Sequence, residues 1–219
     1  ILVVPMIIFS LIMSANVKGT YSKYKTVRNR SGITGGEAAR RILLENGITD
    51  VRIEVCGGEL TDHYNPRTNV VSLSADVFNS TSVAAVGIAA HEVGHVCQHY
   101  SGYAPIKIRN AVLPVANIGS SLSIPLIILG IFLSFKPLVM AGVIAFAAVV
   151  LFQLVTLPVE FNASSRAMKS LVSCGILSAD ETSGTRKVLS AAAMTYVAAL
   201  AVSLAQLLRL ILIARNNRD

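Results

Sequence analysis

The sequence predicts a mainly α-helical membrane protein in which about four transmembrane helices carry a small α+β domain. Of its 219 residues only 14% are charged, whereas a soluble domain carries about 25%. Four uncharged stretches stand out, at residues 1–17, 110–135, 137–159 and 188–208. A membrane-spanning helix needs about 20 apolar residues, so three stretches are long enough and the first nearly is.

The first stretch is predicted to be a membrane anchor. A secretory signal peptide typically has a positively charged region at its start and an A-x-A cleavage site. Neither is present before Lys18. Because the sequence begins at Ile1 rather than at a methionine, we expect this span to extend a few residues further upstream.

The charges predict the orientation in the membrane. Four spans put residues 18–109 and 160–187 on one side, together with most of the Lys and Arg residues that lie near span ends. The other side holds Lys136, Arg215 and Arg218. The positive-inside rule then predicts a multi-pass protein of the inner (plasma) membrane with residues 18–109 in the cytoplasm.

The formal net charge of +7 therefore has an explanation other than nucleic acid. The basic residues between Lys18 and Arg30 serve as a topology signal and attract anionic lipid headgroups. We expect a lipid bilayer, and no nucleic acid, as a partner.

The first element after the anchor is a polar, basic linker at residues 17–32. Thr34 and Glu37 have the spacing of a capping box, in which each side chain bonds the backbone N–H of the other residue. They predict a helix that begins there and ends at Gly47, a residue suited to the left-handed cap that closes many helices.

The next segment predicts two strands and another helix. Residues 51–55 alternate apolar and charged side chains, as in a half-buried strand. After a polar turn at residues 62–67, residues 69–74 are predicted to form a second strand, antiparallel to a neighbour. Ser80 or Thr81 is a suitable N-cap for the helix that follows.

That helix contains the motif His91-Glu92-Val93-Gly94-His95. Two histidines four residues apart lie on one helical face, and the glutamate between them lies beside that face. This is the arrangement of a zinc hydrolase. A catalytic zinc takes three protein ligands and leaves a fourth position for water, so the sequence must supply a third ligand.

His99 lies on the same face but cannot be that ligand. It is about 12 Å along the helix axis from His91, at 1.5 Å per residue, whereas a zinc–nitrogen bond is about 2 Å long. The metzincin pattern is also excluded, because it needs a glycine where Gln98 stands and a histidine where Ser101 stands.

Glu160 is the predicted third ligand, where the third span emerges on the same side as the motif. An ionisable group at a span end is costly unless it has a function. The alternative is an interfacial acid paired with Arg166. We therefore predict that Zn²⁺ is bound by His91, His95 and Glu160, and that Glu92 is the general base.

Two further features concern substrate. Residues 70–73 are a candidate exposed strand edge for an extended peptide, or an internal strand with no such role. His63, Tyr64 or Tyr196 could stabilise the oxyanion. Of these we prefer the catalytic assignment of His63 to that of Tyr196, although His63 could equally make only a local hydrogen bond in its turn.

The sequence resembles the bacterial YugP-type membrane zinc metallopeptidases over essentially the whole chain. The resemblance is carried by the motif with Gln98, the Asp62-His63-Tyr64-Asn65-Pro66 turn and Leu157-Pro158-Val159-Glu160-Phe161. In plan the sequence is also similar to the HtpX and CAAX-prenyl proteases, which carry a cytosolic H-E-x-x-H and a downstream E-x-x-x-D. The resemblance implies a membrane-embedded metalloendopeptidase of the gluzincin type with a zincin-like domain. It does not supply a substrate.

The sequence departs from those wider relatives at Ser164, where E-x-x-x-D has aspartate. The carboxylate that orients a ligand histidine must then come from elsewhere, with Asp62 and Asp76 as candidates, or be replaced by a hydroxyl.

The predicted organisation is transmembrane helix 1 at residues 1–17, a cytosolic α+β domain at 18–109, transmembrane helices 2 and 3 at 110–159, a cytosolic segment with the third ligand at 160–187, and transmembrane helix 4 at 188–213. The predicted function is zinc-dependent hydrolysis of peptide or membrane-protein substrates, in membrane-protein quality control. The alternative is a non-catalytic scaffold in which zinc pins the motif helix to the third span, and Glu92 favours the enzyme.

Cys56, Cys97 and Cys174 have no C-x-x-C spacing, so neither a disulfide framework nor a cysteine zinc site is predicted. Small residues at 119–121 and Gly130 permit helix pairing within a chain or in a homo-oligomer. A soluble fragment that ends before Asn110 lacks Glu160 and is expected to bind zinc poorly.

Overall fold

The computed structural model describes residues 3–216 and is mainly helical. Ile1 and Leu2 of the predicted first span, and Arg218, lie outside the described residues. The elements in chain order are α1 (Val3–Tyr24), α2 (Gly35–Glu45), β1 (Arg52–Cys56), β2 (His63–Asn65), β3 (Val70–Ser74), α3 (Ala75–Phe78), α4 (Val83–Tyr100), α5 (Ala104–Phe132), α6 (Lys136–Ser173) and α7 (Thr182–Asn216).

The chain divides into two compact units. We call residues 1–14, 104–158 and 194–219 the helical unit, and residues 15–103 and 159–193 the mixed unit. Helices α1, α6 and α7 contribute residues to both units, whereas α2 to α4 and the three strands belong to the mixed unit.

The capping box predicted for α2 is confirmed. The Thr34 Oγ accepts a hydrogen bond from the Glu37 N–H at 3.2 Å, and the Glu37 carboxylate accepts one from the Thr34 N–H at 2.8 Å. Gly47 has φ +69°, the left-handed conformation expected of a residue that ends a helix.

The strands form one sheet in the order β1-β3-β2. β3 is antiparallel to β2, as predicted for a neighbour, and parallel to β1. Two sequence-based interpretations are wrong. Part of the predicted turn at 62–67 is strand β2, and residues 70–73 lie in the central strand, with both sides paired. Val70, Val71 and Leu73 are buried, which explains why this strand lies inside the sheet.

The core of the mixed unit lies between the sheet and the helices. Its largest fully buried side chains come from α2, β3, α3, α4, the end of α6 and the turn after it: Ile42, Val71, Leu73, Val77, Val86, Val93, Val96, Leu171, Ile176 and Leu177. Helix α4, which carries the motif, is therefore fixed by packing against several elements.

Within residues 3–216, four helices are long and apolar enough to cross a membrane, as predicted: α1, α5, α6 and α7. Helix α1 continues to Tyr24, so the predicted linker at 17–32 begins as helix. Tyr21 is buried and Tyr24 packs beside it, which holds these last turns. Helix α6 likewise continues past the predicted span end at 159 as far as Ser173.

Candidate metal centre

Helix α4 presents the two motif histidines on one face. Its N-cap Ser82 accepts a hydrogen bond from the Ala85 N–H at 3.1 Å. The rings of His91 and His95 lie edge to face with centroids 4.8 Å apart. Both side chains are largely shielded from solvent, with 16% and 12% exposure.

A close contact between α4 and α6 brings the third residue alongside. A Cβ atom built on Gly94 would lie only 2.7 Å from the carbonyl oxygen of Ala163, a distance that real Cβ atoms essentially never show. A glycine at this point of the motif therefore lets the backbone of α6 approach that of α4, one turn from Glu160.

Glu160 lies against both imidazoles. Its Oε2 is 3.3 Å from the Nε2 of His91 and 3.6 Å from the Nε2 of His95. Within the described residues these three form the group that could hold a metal ion, with all ligand atoms within 4.8 Å of one another.

The donor set and its spacing fit zinc. Two ligand atoms about 2.0–2.2 Å from one tetrahedral ion lie roughly 3.3–3.5 Å apart, close to both observed distances. The alternative pairing of Glu160 with Arg166 is not found among the described ion pairs, because the Arg166 Nε donates to the Asn162 Oδ1 at 2.8 Å.

The electrostatics of the group favour a cation. Burial alone would lower the pKa of His95, but the hydrogen bond to the Glu160 carboxylate and the negative charges of Glu92 and Glu160 outweigh it and raise that pKa above its ordinary value. Positive charge is therefore stabilised at this position, and a bound divalent ion would take the place of the proton.

Glu92 is a largely buried residue whose carboxylate has no hydrogen-bond partner among the described residues. The residue is 8% exposed, and its carboxylate makes no hydrogen bond or ion pair with any residue in the described range 3–216. Glu92 is therefore available as a proton acceptor.

Each ligand histidine has a polar partner at its other ring nitrogen. The Ser164 Oγ lies 3.1 Å from the His91 Nδ1, so a hydroxyl occupies the place of the missing carboxylate. Asp62 instead accepts hydrogen bonds from the Ser74 N–H and Oγ–H. Neither Asp62 nor Asp76 contacts a ligand histidine among the described contacts.

Gln98 is a site residue whose role the sequence reasoning missed. It is fully buried, and its Oε1 lies 3.0 Å from the His95 Nδ1. Its Nε2 donates to the Val159 carbonyl at 2.7 Å and to the Asn162 Oδ1 at 3.1 Å. The signal that could have found it is the i, i+3 spacing from His95 on one helix.

His63 lies outside this group. It is exposed on β2, and its Nδ1 is 2.8 Å from the Thr61 carbonyl oxygen, which is the local contact foreseen as the alternative. Its role in catalysis stays a prediction. The neighbouring Tyr64 donates to the Asn69 Oδ1 at 3.0 Å, and burial, with the nearby Tyr100 and Asp50, raises its pKa to about 12.

A groove of about 390 Å³ runs along α6 and α7. Phe161, Met168 and Leu189 give it apolar walls, and Lys169 and Arg186 line it without an ion pair among the described residues. Ser164, the partner of His91, also lines this groove, so it lies next to the metal group within the mixed unit.

Comparison with known proteins gives two matches and one absence. Residues 1–215 match the sequence model of a family described as "Putative neutral zinc metallopeptidase". The chain is 49% identical over 203 residues to the "Putative membrane protease YugP" of Bacillus subtilis (strain 168), covering 93% of this chain and 90% of that protein. No solved structure matches.

Proposed function

This chain belongs to the family of neutral zinc metallopeptidases, as its resemblance predicted, and we propose that it is a membrane-embedded zinc metalloendopeptidase that hydrolyses peptide bonds. The observation that carries the proposal is the convergence of His91, His95 and Glu160 on the helix face beside Glu92, a largely buried residue. Three ligands and one base are the parts that such a hydrolase needs.

The roles follow from the atoms. The Nε2 atoms of His91 and His95 and the Oε2 of Glu160 would hold the zinc, which, when bound, lowers the pKa of a water ligand to about 7. The Glu92 carboxylate accepts a proton from the attacking water and returns it to the nitrogen of the leaving amine. His63 stays our candidate for the group that stabilises the oxyanion.

The proposed setting is the cytoplasmic face of the plasma membrane. The excess of Lys and Arg near the span ends on the side of the motif supports this orientation, and the four apolar helices fit a bilayer. A site at such a surface meets segments that leave the membrane or fail to insert. We therefore propose membrane-protein segments as substrates and quality control as the role.

The groove beside Ser164 is where we place part of the substrate. Its apolar walls suit an apolar side chain, and the unpaired charges of Lys169 and Arg186 favour an acidic group nearby. β3 is excluded as the substrate strand because both of its sides are paired.

A zinc-stabilised scaffold is the second candidate. The observation in its favour is that the three ligands come from two helices, so a bound ion would join α4 to α6. A purely structural site has no use for a carboxylate at this position of the motif, and Glu92 therefore favours the enzyme.

The test compares wild type with Glu92→Gln in detergent and measures both zinc content and cleavage of casein or a model membrane substrate. We expect Glu92→Gln to retain zinc and to lose cleavage at least 100-fold, because it removes the base and no ligand. The matched control is Glu45→Gln, an exposed glutamate at the end of α2. Equal cleavage by Glu92→Gln and wild type would exclude the peptidase.

A further inference from the structure

A chain of hydrogen bonds leads from the metal group to a cation in the mixed unit. We propose that Arg166 and Gln98 are positioning residues that fix the tautomer of His95. This inference rests on the proposed metal site, and it concerns residues to which no role has been assigned.

The chain has a defined direction because it begins at an arginine. A guanidinium carries only donors, and the Arg166 Nε lies 2.8 Å from a side-chain amide atom of Asn162. That atom must be an acceptor. The orientation of the Asn162 amide is therefore set by its partner, with Oδ1 towards Arg166.

The same reasoning orients Gln98. One of its amide atoms lies 3.1 Å from the Asn162 Oδ1 and 2.7 Å from the Val159 carbonyl oxygen. Both neighbours are acceptors, so this atom is the Nε2 donor and the other is Oε1. Two independent partners thus give one assignment of an amide whose oxygen and nitrogen are otherwise hard to distinguish.

The orientation of Gln98 determines the proton on His95. Since Oε1 is an acceptor, the His95 Nδ1 at 3.0 Å must carry the hydrogen. In the neutral ring the proton is then absent from Nε2, whose lone pair is free for a metal. The Nε2 atom is the one that lies beside Glu160.

Burial makes this arrangement strict. Gln98 has no exposed surface, so water cannot replace a partner if the amide turns over. A reversed amide would place its NH₂ group against the Nδ1–H and its oxygen against the Val159 carbonyl, leaving buried polar groups unpaired. Val159 and Asn162 also flank Glu160 in α6, so one amide orients His95 and holds the segment that carries the other ligand.

His91 provides an internal comparison. Its Nδ1 partner is the Ser164 hydroxyl at 3.1 Å, and a hydroxyl can donate or accept. Ser164 therefore does not impose a tautomer. The Nδ1 partner thus fixes the tautomer of His95, whereas the Nδ1 partner of His91 does not fix that of His91.

The experiment uses the full-length protein in detergent with ¹⁵N-labelled histidine. The sequence has only four histidines, so their ring signals can be assigned by single substitutions. Metal-free wild type at alkaline pH is expected to show His95 as the Nδ1–H tautomer alone. Zinc affinity is measured separately, by competition with a chelator, so cleavage is not the readout.

Gln98→Leu is expected to give a mixture of His95 tautomers and a zinc affinity about 10–100-fold lower, as for loss of a group that orients a ligand. Arg166→Leu leaves the Val159 carbonyl as a partner of Gln98, so it should shift the tautomer and lower the affinity less than Gln98→Leu does, and Arg166→Lys should restore much of both. Arg41→Leu removes an exposed charge of α2 from the same unit without touching the chain of bonds and is expected to match wild type.

Asn162→Asp keeps an acceptor facing Arg166 and Gln98, so it should preserve the tautomer even if Gln98→Leu does not fold. The proposal is overturned if Arg166→Leu and Gln98→Leu both retain the wild-type tautomer and the wild-type zinc affinity. If Gln98→Leu does not fold, the same result for Arg166→Leu alone overturns it. A wild-type protein that binds no zinc would instead exclude the proposed enzyme. The tautomer measurement would still decide the inference about Arg166.

Discussion

The two units of this protein use the same apolar residue types in opposite ways. In the mixed unit the large apolar side chains form one continuous core, in which Leu73 and Val93 have no exposed surface. In the helical unit many of them lie on the outside, with Ile128 at 62% and Phe132 at 84% exposure. The first pattern is that of a protein folded in water, and the second fits helices surrounded by lipid.

The contacts inside the units differ accordingly. Lipid is as apolar as leucine, so helices in a bilayer gain little by hiding apolar surface from it and associate through close packing of small residues. A Cβ atom on Gly119 would collide with the Ala145 carbonyl oxygen, and one on Gly142 would lie 2.7 Å from the Ser123 carbonyl oxygen. In the mixed unit comparable contacts occur beside an apolar core: a Cβ atom on Gly35 would collide with the Val77 carbonyl oxygen, and one on Gly94 would meet that of Ala163.

The two units also differ in how their buried polar side chains are hydrogen-bonded. Buried Asn29, Ser74 and Gln98 of the mixed unit all make hydrogen bonds. Within residues 3–216, the buried side-chain atoms without a partner are the Arg109 Nε and the Ser123 Oγ, and both belong to the helical unit.

The broadest expected effect, on both stability and zinc binding, comes from Gly94→Val. The added side chain would meet the backbone of α6 at Ala163, and backbone cannot move aside as the end of a side chain can. We expect a loss of about 3 kcal/mol in the free energy of unfolding and a reduction of zinc affinity of more than 10-fold, because α6 carries Glu160. Thermal unfolding and chelator competition measure the two effects.

Two matched variants sharpen this comparison. Gly19→Val adds the same side chain where a Cβ has no neighbour within 4 Å and should leave zinc affinity unchanged. Gly142→Val crowds the helical unit and is expected to lower stability while zinc binding is retained. Loss of zinc in Gly142→Val would contradict the separation of the two units.

Much of the fold could be predicted because its signals are local. Uncharged stretches specify the spanning helices, and the spacing of Thr34 and Glu37 specifies the start of α2. Strand β2 was missed because a segment of three residues, His63–Asn65, is too short to show a period. Strand order was not predictable either, since β1 pairs with β3 and not with β2, the strand that follows it in the sequence.

In the candidate site, too, some contacts could be predicted from local sequence signals and others could not. The pair of histidines follows from helix geometry, and Glu160 from the topology of the spans. The contact of Ser164 with His91, and those of Gln98 with Val159 and Asn162, depend on the packing of α6 against α4, which Gly94 and Ala163 permit. No local pattern reports that packing.

A second comparison uses truncation of apolar side chains. Leu73→Ala empties space in the core of the mixed unit and is expected to cost about 2–5 kcal/mol. Ile128→Ala removes a side chain that is 62% exposed on α5, and in detergent or lipid it should cost less than about 1 kcal/mol. Denaturant unfolding in detergent measures both. Equal losses would show that Ile128 is covered by protein, as in a homo-oligomer, and not by lipid.

The smallest expected effect compares the hydroxyls of Thr34 and Ser121, which bond to different backbone groups of their helices. The Thr34 Oγ satisfies the Glu37 N–H, which has no partner in the first turn of α2, so Thr34→Ala should lower the free energy of unfolding by about 0.5–2 kcal/mol. The Ser121 Oγ of α5 donates to the Asn117 carbonyl at 3.1 Å, an oxygen already placed to accept a helix bond. Ser121→Ala is therefore expected to change stability by less than about 0.5 kcal/mol.

Thr34→Ser keeps the cap and should restore most of the stability lost in Thr34→Ala. If Thr34→Ser is as unstable as Thr34→Ala, the contribution of Thr34 comes from its methyl group and not from the cap.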